Sequence, residues 1–397
     1  MTSIHLVFPV LPPSLDGIGD YTAQLAETLS KRCQVKVLTG EGAFDPIRGV
    51  EVEQAFSIQK PSYVCSLSDA VRRDAPDWLV LQYNPFSYGK RGFSPYLPLV
   101  LRRVRRDCPL TRIAVMVHEP FVPAVDWRST AMTSWQRWQL WTLGRGADAI
   151  FFSIEPWVRA FERWFGGTPV FHLPVGSNMP RVPLRRGAAR ARLGLSEDAL
   201  IVGVFGSAHP SRLLSFIKAA TQALREGGRT FQVLYVGACG ATLREALGAV
   251  PIIDAGPLPP EEVSSCFTAM DLYLAPFRKG VSSRRGSFMV GLQHGVPTIS
   301  TYGVQTDDML RLQDGRAFCL VRDDDPSAFG ACVLQFARDK QSRVQMGRVG
   351  RRFFETAFSW ERISDTLLTV LGRFEAGFSV DGTALANAAA TAEKVEA

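Results

Sequence analysis

Short apolar runs alternate along the chain with longer stretches in which apolar positions recur every three or four residues. Ile4–Phe8, Gln34–Leu38, Trp78–Leu81, Ile113–Val117 and Ala149–Phe152 read as buried strands. Between them, Asp20 opens a helical pattern carried by Ala23, Ala26 and Leu29, and Tyr96–Arg106 sets Leu97, Val100, Leu101 and Val104 on one face. Pro9–Gly19 is rich in Pro and Gly and is expected to be irregular. The same order restarts later. Leu200–Phe205, Phe231–Val236, Leu272–Ala275 and Thr298–Ser300 read as strands, with helices at Arg212–Leu224 and Ser287–Gln293. Strands alternating with helices predict an α/β chain with two doubly wound, parallel-sheet domains. The expected boundaries are residues 1–180 and 196–358, with a connector at 181–195 and a loose, apolar-poor tail at 376–397.

Composition changes this picture little. The 397 residues are 46% hydrophobic and 21% charged, as in ordinary globular proteins. No apolar run reaches the ~18–20 residues of a membrane span, and the first residues lack the basic start of a signal peptide. The seven cysteines are scattered without a C-x-x-C pair, which predicts neither a disulfide framework nor a cysteine metal site and favours a reducing, cytoplasmic setting. The net charge of +7 is concentrated in residues 181–192 (RVPLRRGAARAR). A short basic segment reads as a solvated linker, not as the continuous phosphate-tracking face that nucleic-acid binding requires.

In open parallel sheets, ligands sit beyond the carboxyl ends of the strands, so the residues following each strand are the candidates. Asp16–Asp20 follows the first strand, and Gly17 and Gly19 there suit close backbone approach to a ligand, or equally a tight strand-to-helix turn. His118-Glu119 follows Ile113–Val117. Phe277–Ser287 (FRKGVSSRRGS) is the richest stretch: four cations, hydroxyl residues, two glycines and a helix start, each of which favours a phosphate. Gly206–Arg212, with Ser207, is a second phosphate-loop candidate. Gln82–Gly89, including Tyr83 and Asn84, is a candidate acceptor-binding loop. Trp127, Trp135, Trp138 and Trp141 are spaced as a helix face that fills a core. Arg102, Arg103, Arg105 and Arg106 make a neighbouring helix basic, and basic with aromatic residues can also mark a membrane surface.

In order and spacing, these residues resemble the retaining GT-B glycosyltransferases, in particular the family 4 group (glycosyl transferase group 1). The resemblance runs to about residue 374. It is carried by Gly17–Thr22 with Leu25, Ala26 and Leu29, by His118-Glu119, by Val236-Gly237, Ala255–Leu258 and Ala269–Leu272, and by Gly291–Thr301. Ser359-Trp360-Glu361 looks like the start of that family's closing helix, expected over 359–375 and packing back on the first domain. The resemblance implies a nucleoside-diphosphate sugar as donor, held mostly by the second domain, and an acceptor held by the first. It further implies retention of anomeric configuration, with no cofactor and no metal. On this reading His118, Arg212 and Arg285 are catalytic. Gly17, Gly19, Gly206, Ser207, Arg212, Ser282, Ser283, Arg284, Arg285 and Gly286 bind the donor. Asp20, Tyr83, Asn84 and Glu119 contact the acceptor, a glycan or lipid-linked molecule, and peripheral contact with the inner face of a membrane fits the same picture.

The chain departs from the family's pattern in two places. The family usually carries two Glu residues eight positions apart in the donor loop, where this chain has Ser282 and Val290, and an Arg and a Lys where this chain has Ser207 and Arg212. The departures suggest that the cation serving the diphosphate has moved to Arg284 and Arg285. They also keep two rivals open: a nucleotide-binding partner subunit without transfer activity, and a nucleotide-sugar epimerase of the same fold.

Overall fold

A computed structural model of the chain describes residues 1–207 and 211–375. It divides into two compact units. The first comprises Met1–Pro174 together with the chain from Ile363 onward, and the second Val175–Arg362.

The first unit is built on seven strands: β1 (Ser3–Val7), β2 (Gln34–Gly40), β3 (Glu51–Phe56), β4 (Trp78–Tyr83), β5 (Arg112–Val117), β6 (Ala149–Phe152) and β7 (Val170–His172). All pairings are parallel, in the order β3-β2-β1-β4-β5-β6-β7. Helices cover both faces of such a sheet, which is why β4 is buried along its whole length and reads as a continuous apolar run. The second unit has six: β8 (Leu200–Phe205), β9 (Phe231–Val236), β10 (Ile252–Asp254), β11 (Leu272–Ala275), β12 (Thr298–Tyr302) and β13 (Cys319–Arg322). They are parallel in the order β10-β9-β8-β11-β12-β13. Alternate residues of one strand feed opposite cores: Leu272 and Leu274 join one cluster, Tyr273 and Ala275 the other. In each sheet the strand order reverses beside the first strand, between β1 and β4 and between β8 and β11, which puts a topological switch point at each pair's carboxyl ends.

Several expectations are corrected. The first helix spans Gly17–Ser30 and opens three residues before Asp20, because the Asp16 carboxylate caps it by accepting from the Ile18 and Gly19 amides. The units divide at Pro174/Val175, not at 180. Residues 181–195 are largely exposed, as expected of a solvated segment, but they contain the helix Arg186–Arg192, and Arg190 is only 3% exposed. Its guanidinium meets Asp271 and the carbonyls of Ala269, Glu197 and Ala199. Burial alone would raise the Asp271 carboxyl, but the Ile201 N–H and the guanidiniums of Arg186 and Arg190 hold it below the ordinary range. The last helix, Trp360–Glu375, carries Phe374 onto Trp78 and Phe171 of the first unit at ring separations of 5.5 and 6.4 Å. The expected tail at 376–397 lies outside the described residues.

The tryptophan expectation is also reversed. In the helix Trp127–Arg145 the buried stripe is Ser129, Thr133, Gln136, Leu140 and Leu143, while Trp127, Trp138 and Trp141 are exposed and Trp135 is half-buried. The polar residues face inward because neighbouring backbone needs partners there. Gln136 accepts from the Val122 amide at 2.9 Å, Gln139 accepts from the Ser94 amide at 2.9 Å, and the Thr133 hydroxyl donates to the Val122 carbonyl at 2.8 Å.

Candidate functional site

At the switch point of the second sheet, the chain leaving β8 turns through Gly206 at φ +103, a conformation that favours glycine. Ser207 is exposed, and the middle of that loop, 208–210, lies outside the described residues. The chain then returns at Ser211 and Arg212 to pair with the segment following β11. Arg212 forms an antiparallel bridge with Phe277, and the Arg278 amide donates to the Ser211 carbonyl at 2.7 Å. The loop after β11 is tied down from its far side. The Thr301 hydroxyl bonds to the Phe277 backbone at 2.7 and 2.8 Å, and the Val281 amide donates to the Thr301 carbonyl at 2.7 Å. Gly280 sits at φ +84, where a Cβ would lie 2.2 Å from the Gly303 nitrogen.

This scaffold brings two of the predicted cations together. The Arg285 guanidinium lies 4.9 Å from the Phe277 ring centroid, and the Arg212 guanidinium 5.7 Å from the same centroid. Arg212 donates one nitrogen to the Phe205 carbonyl, while its buried Nε and Nη1 have no hydrogen-bond partner. The Ser282 hydroxyl is likewise buried without a partner. The donor set here, two guanidiniums and a hydroxyl, suits the oxygens of a phosphate group. Gly286 opens the helix Gly286–Gln293, whose start has no side-chain cap. Arg284 reaches toward Gln305 at 3.5 Å. Ser283 departs from expectation: its amide and hydroxyl both donate to the buried Asp307 carboxylate, at 2.6 and 2.9 Å, so it fixes the loop and does not offer these donors to an anion. Val290 is 2% exposed and belongs to the core, so no carboxylate projects from that position.

The first unit's switch point is built differently. Gly19 is buried, and a Cβ there would lie 2.6 Å from the Val10 carbonyl oxygen, so glycine is needed for the helix to pack against the loop after β1. Gly17 is exposed with open space around it. His118 follows β5 and is buried. Its Nε2 lies 2.8 Å from Gln82 Oε1, and Tyr21 packs edge-on against its ring at 4.8 Å. Burial pushes its pKa down to about 3, so the ring is neutral near pH 7. Gln82 Oε1 accepts from Nε2–H, which leaves Nδ1 with its lone pair. Tyr83 is corrected from an acceptor contact to a core residue: it is fully buried and its hydroxyl accepts from Gln139 at 3.1 Å. Asn84 caps the short 3-10 turn at Pro85–Ser87 by accepting from the Phe86 amide at 2.9 Å. Asp20 and Glu119 are half-buried, and burial, followed by the neighbouring Asp16, raises the Asp20 carboxyl.

Sequence reasoning missed three residues that organise these places: Phe277 as the seat of both guanidiniums, Asp307 as the anchor of Ser283, and Gln82 as the partner of His118. A glutamine inside the otherwise apolar and aromatic run Trp78–Tyr83 was the signal for the last. Asp307 lies 24 residues from Ser283, with no local pattern linking them.

Two parallel-sheet α/β units with this order of elements match the GT-B fold, and solved structures agree. The chain is similar to a sucrose-phosphate synthase from Thermosynechococcus elongatus (TM-score 0.71, 16% identity, 95% of this chain and 100% of that one). It is also similar to Anabaena HepE solved with UDP and glucose (TM-score 0.68, 12% identity, 94% of this chain and 100% of that one). Residues 197–339 match the family described as glycosyl transferases group 1. A curated relative is the GDP-mannose-dependent monoacylated alpha-(1-6)-phosphatidylinositol monomannoside mannosyltransferase of Corynebacterium glutamicum, 25% identical over 61% of this chain and 66% of that protein. Another is the D-inositol 3-phosphate glycosyltransferase of Geodermatophilus obscurus, 29% identical over 56% of this chain and 52% of that protein. The matched region thus spans about half to two thirds of these relatives' own lengths.

Proposed function

We propose that the protein transfers a sugar from a nucleoside-diphosphate sugar to a glycan or glycolipid acceptor, with retention of anomeric configuration and without a metal. The observation that carries the reading is the pair of guanidiniums, Arg212 and Arg285, on the one Phe277 ring, with buried donors of Arg212 and Ser282 left unpartnered. Guanidiniums and a hydroxyl are donors suited to the oxygens of a diphosphate. Its negative charge grows as the glycosidic bond breaks, so fixed donors stabilise the transition state more than the bound substrate. Support also comes from the relatives, which are named for mannosyl and inositol-phosphate glycosyl transfer, and from HepE, solved with UDP and glucose.

His118 is neutral and so serves as a hydrogen-bonding group, not as a general acid. The proton leaving the acceptor hydroxyl passes to the departing diphosphate. Incubation with nucleotide sugars and envelope glycans or glycolipids, followed by NMR of the new linkage, tests this reading. Nucleoside diphosphate released only with acceptor, and an unchanged anomeric configuration, are expected. Inversion, or donor consumption without acceptor, overturns it. Buried Val290, standing where the family pattern has a carboxylate, favours one second reading: nucleotide binding without turnover. Nucleotide stabilisation with no release under any acceptor would select it.

A further inference from the structure

We infer that the exposed face formed by the helices Leu97–Asp107 and Trp127–Arg145 is a docking surface for an anionic lipid bilayer. Trp127, Trp138 and Trp141 are 76%, 50% and 40% exposed, although their spacing is that of a core stripe and the inward stripe of the same helix is largely polar. Indoles left in water on one side of a well-packed helix suit the headgroup boundary, where an amphipathic ring satisfies both its apolar face and its N–H. Two of the rings carry a cation of their own: the Arg128 guanidinium stands 5.2 Å from the Trp127 ring, and that of Arg145 5.2 Å from the Trp141 ring.

Beside the stripe, a groove of about 390 Å³ runs between the two helices, lined by Arg102, Arg105 and Arg106 on one side and by Thr142 and Gly146 on the other. Arg105 and Arg106 are paired with Asp148 and Asp107, while Arg102, Arg128 and Arg145 have no carboxylate partner among the described residues. Asp107 and Asp148 are thus neutralised, and the exposed Asp126 carboxylate, which caps the helix through Ser129, is outnumbered by Arg102, Arg128 and Arg145, so the remaining charge is positive, complementary to phosphate-bearing headgroups and not to a second copy of the same basic face. Among the described residues no helix is long and apolar enough to cross a membrane, so the contact is peripheral. This inference stands apart from the transfer reading, because it uses none of the residues placed at the donor site.

Vesicle co-sedimentation tests it, with phosphatidylglycerol in phosphatidylcholine against phosphatidylcholine alone. Wild-type chain is expected to pellet with the anionic vesicles, with a blue shift of tryptophan fluorescence that added salt reverses. Combining Trp127→Ala, Trp138→Ala and Trp141→Ala should lower vesicle affinity by at least about tenfold. Because these rings are exposed, the thermal midpoint and transfer to a water-soluble acceptor should stay as in wild type, so a lost membrane contact is distinguished from a lost site. Absence of wild-type binding, equal binding by the triple variant, or a concentration-dependent dimer in light scattering that the triple variant abolishes would each overturn the inference.

Discussion

The two units repeat one topology, yet the helix starts at their switch points are finished in opposite ways. In the first, the Asp16 carboxylate occupies the Ile18 and Gly19 amides, and Gly19 is pressed against the Val10 carbonyl. In the second, the helix start after Arg285 has no side-chain cap, the Arg285 and Arg212 guanidiniums share the Phe277 ring beside it, and buried donors of Arg212 and Ser282 have no hydrogen-bond partner. A carboxylate cap repels an incoming anion, whereas an uncapped start among arginines attracts one. Glycines alone therefore do not identify a phosphate loop; what satisfies the neighbouring amides decides it.

The contrast can be broken most forcefully at the cations. Arg212→Ala or Arg285→Ala should lower turnover by about a hundredfold, because each removes a fixed donor to the leaving group; steady-state kinetics with a working donor and acceptor measures this. Gly19→Ala should cost about 2–3 kcal/mol of stability through overpacking against backbone. Gly17→Ala, with nothing within 4 Å of its Cβ, should leave denaturant unfolding almost unchanged. If the two alanine variants unfold alike, the packing role of Gly19 is wrong. Asp16→Ala should cost about 1 kcal/mol, the usual loss for an N-cap, read from the same denaturation curves.

Burial gives a pH prediction of similar modest size. His5, His118 and His294 have pKa values pushed down to about 4, 3 and 4, below their ordinary 6.5. Between those values and 6.5 the unfolded chain binds protons that the folded chain refuses, so stability rises with pH across this window. The thermal midpoint should fall as pH is lowered from 7 to 5, and a midpoint that rose over that step would contradict the buried, neutral imidazoles.

The central strands of both sheets were legible because burial on two faces leaves unbroken apolar runs. The strands that the pattern missed, β3, β7, β10 and β13, all lie at sheet edges, where strands are short or carry polar residues, as in Glu51–Phe56. The basic composition of the donor loop was visible, but its internal order was not. Ser283 and Ser282 are neighbours of the same type, and only the distant Asp307 makes one a strut and leaves the other without a partner. Tyr83 and the tryptophans misled for a related reason. The side of a strand or helix that faces the core depends on what the neighbouring backbone needs, and residue type alone does not give it.

Calorimetric titration with UDP and GDP, on wild type and on the Arg212→Ala and Arg285→Ala variants, addresses the central claim most directly. The account predicts that at least one nucleoside diphosphate binds the wild type and that each variant weakens it by about tenfold or more, the usual scale for a charge-assisted contact. Undiminished affinity in both variants would contradict it.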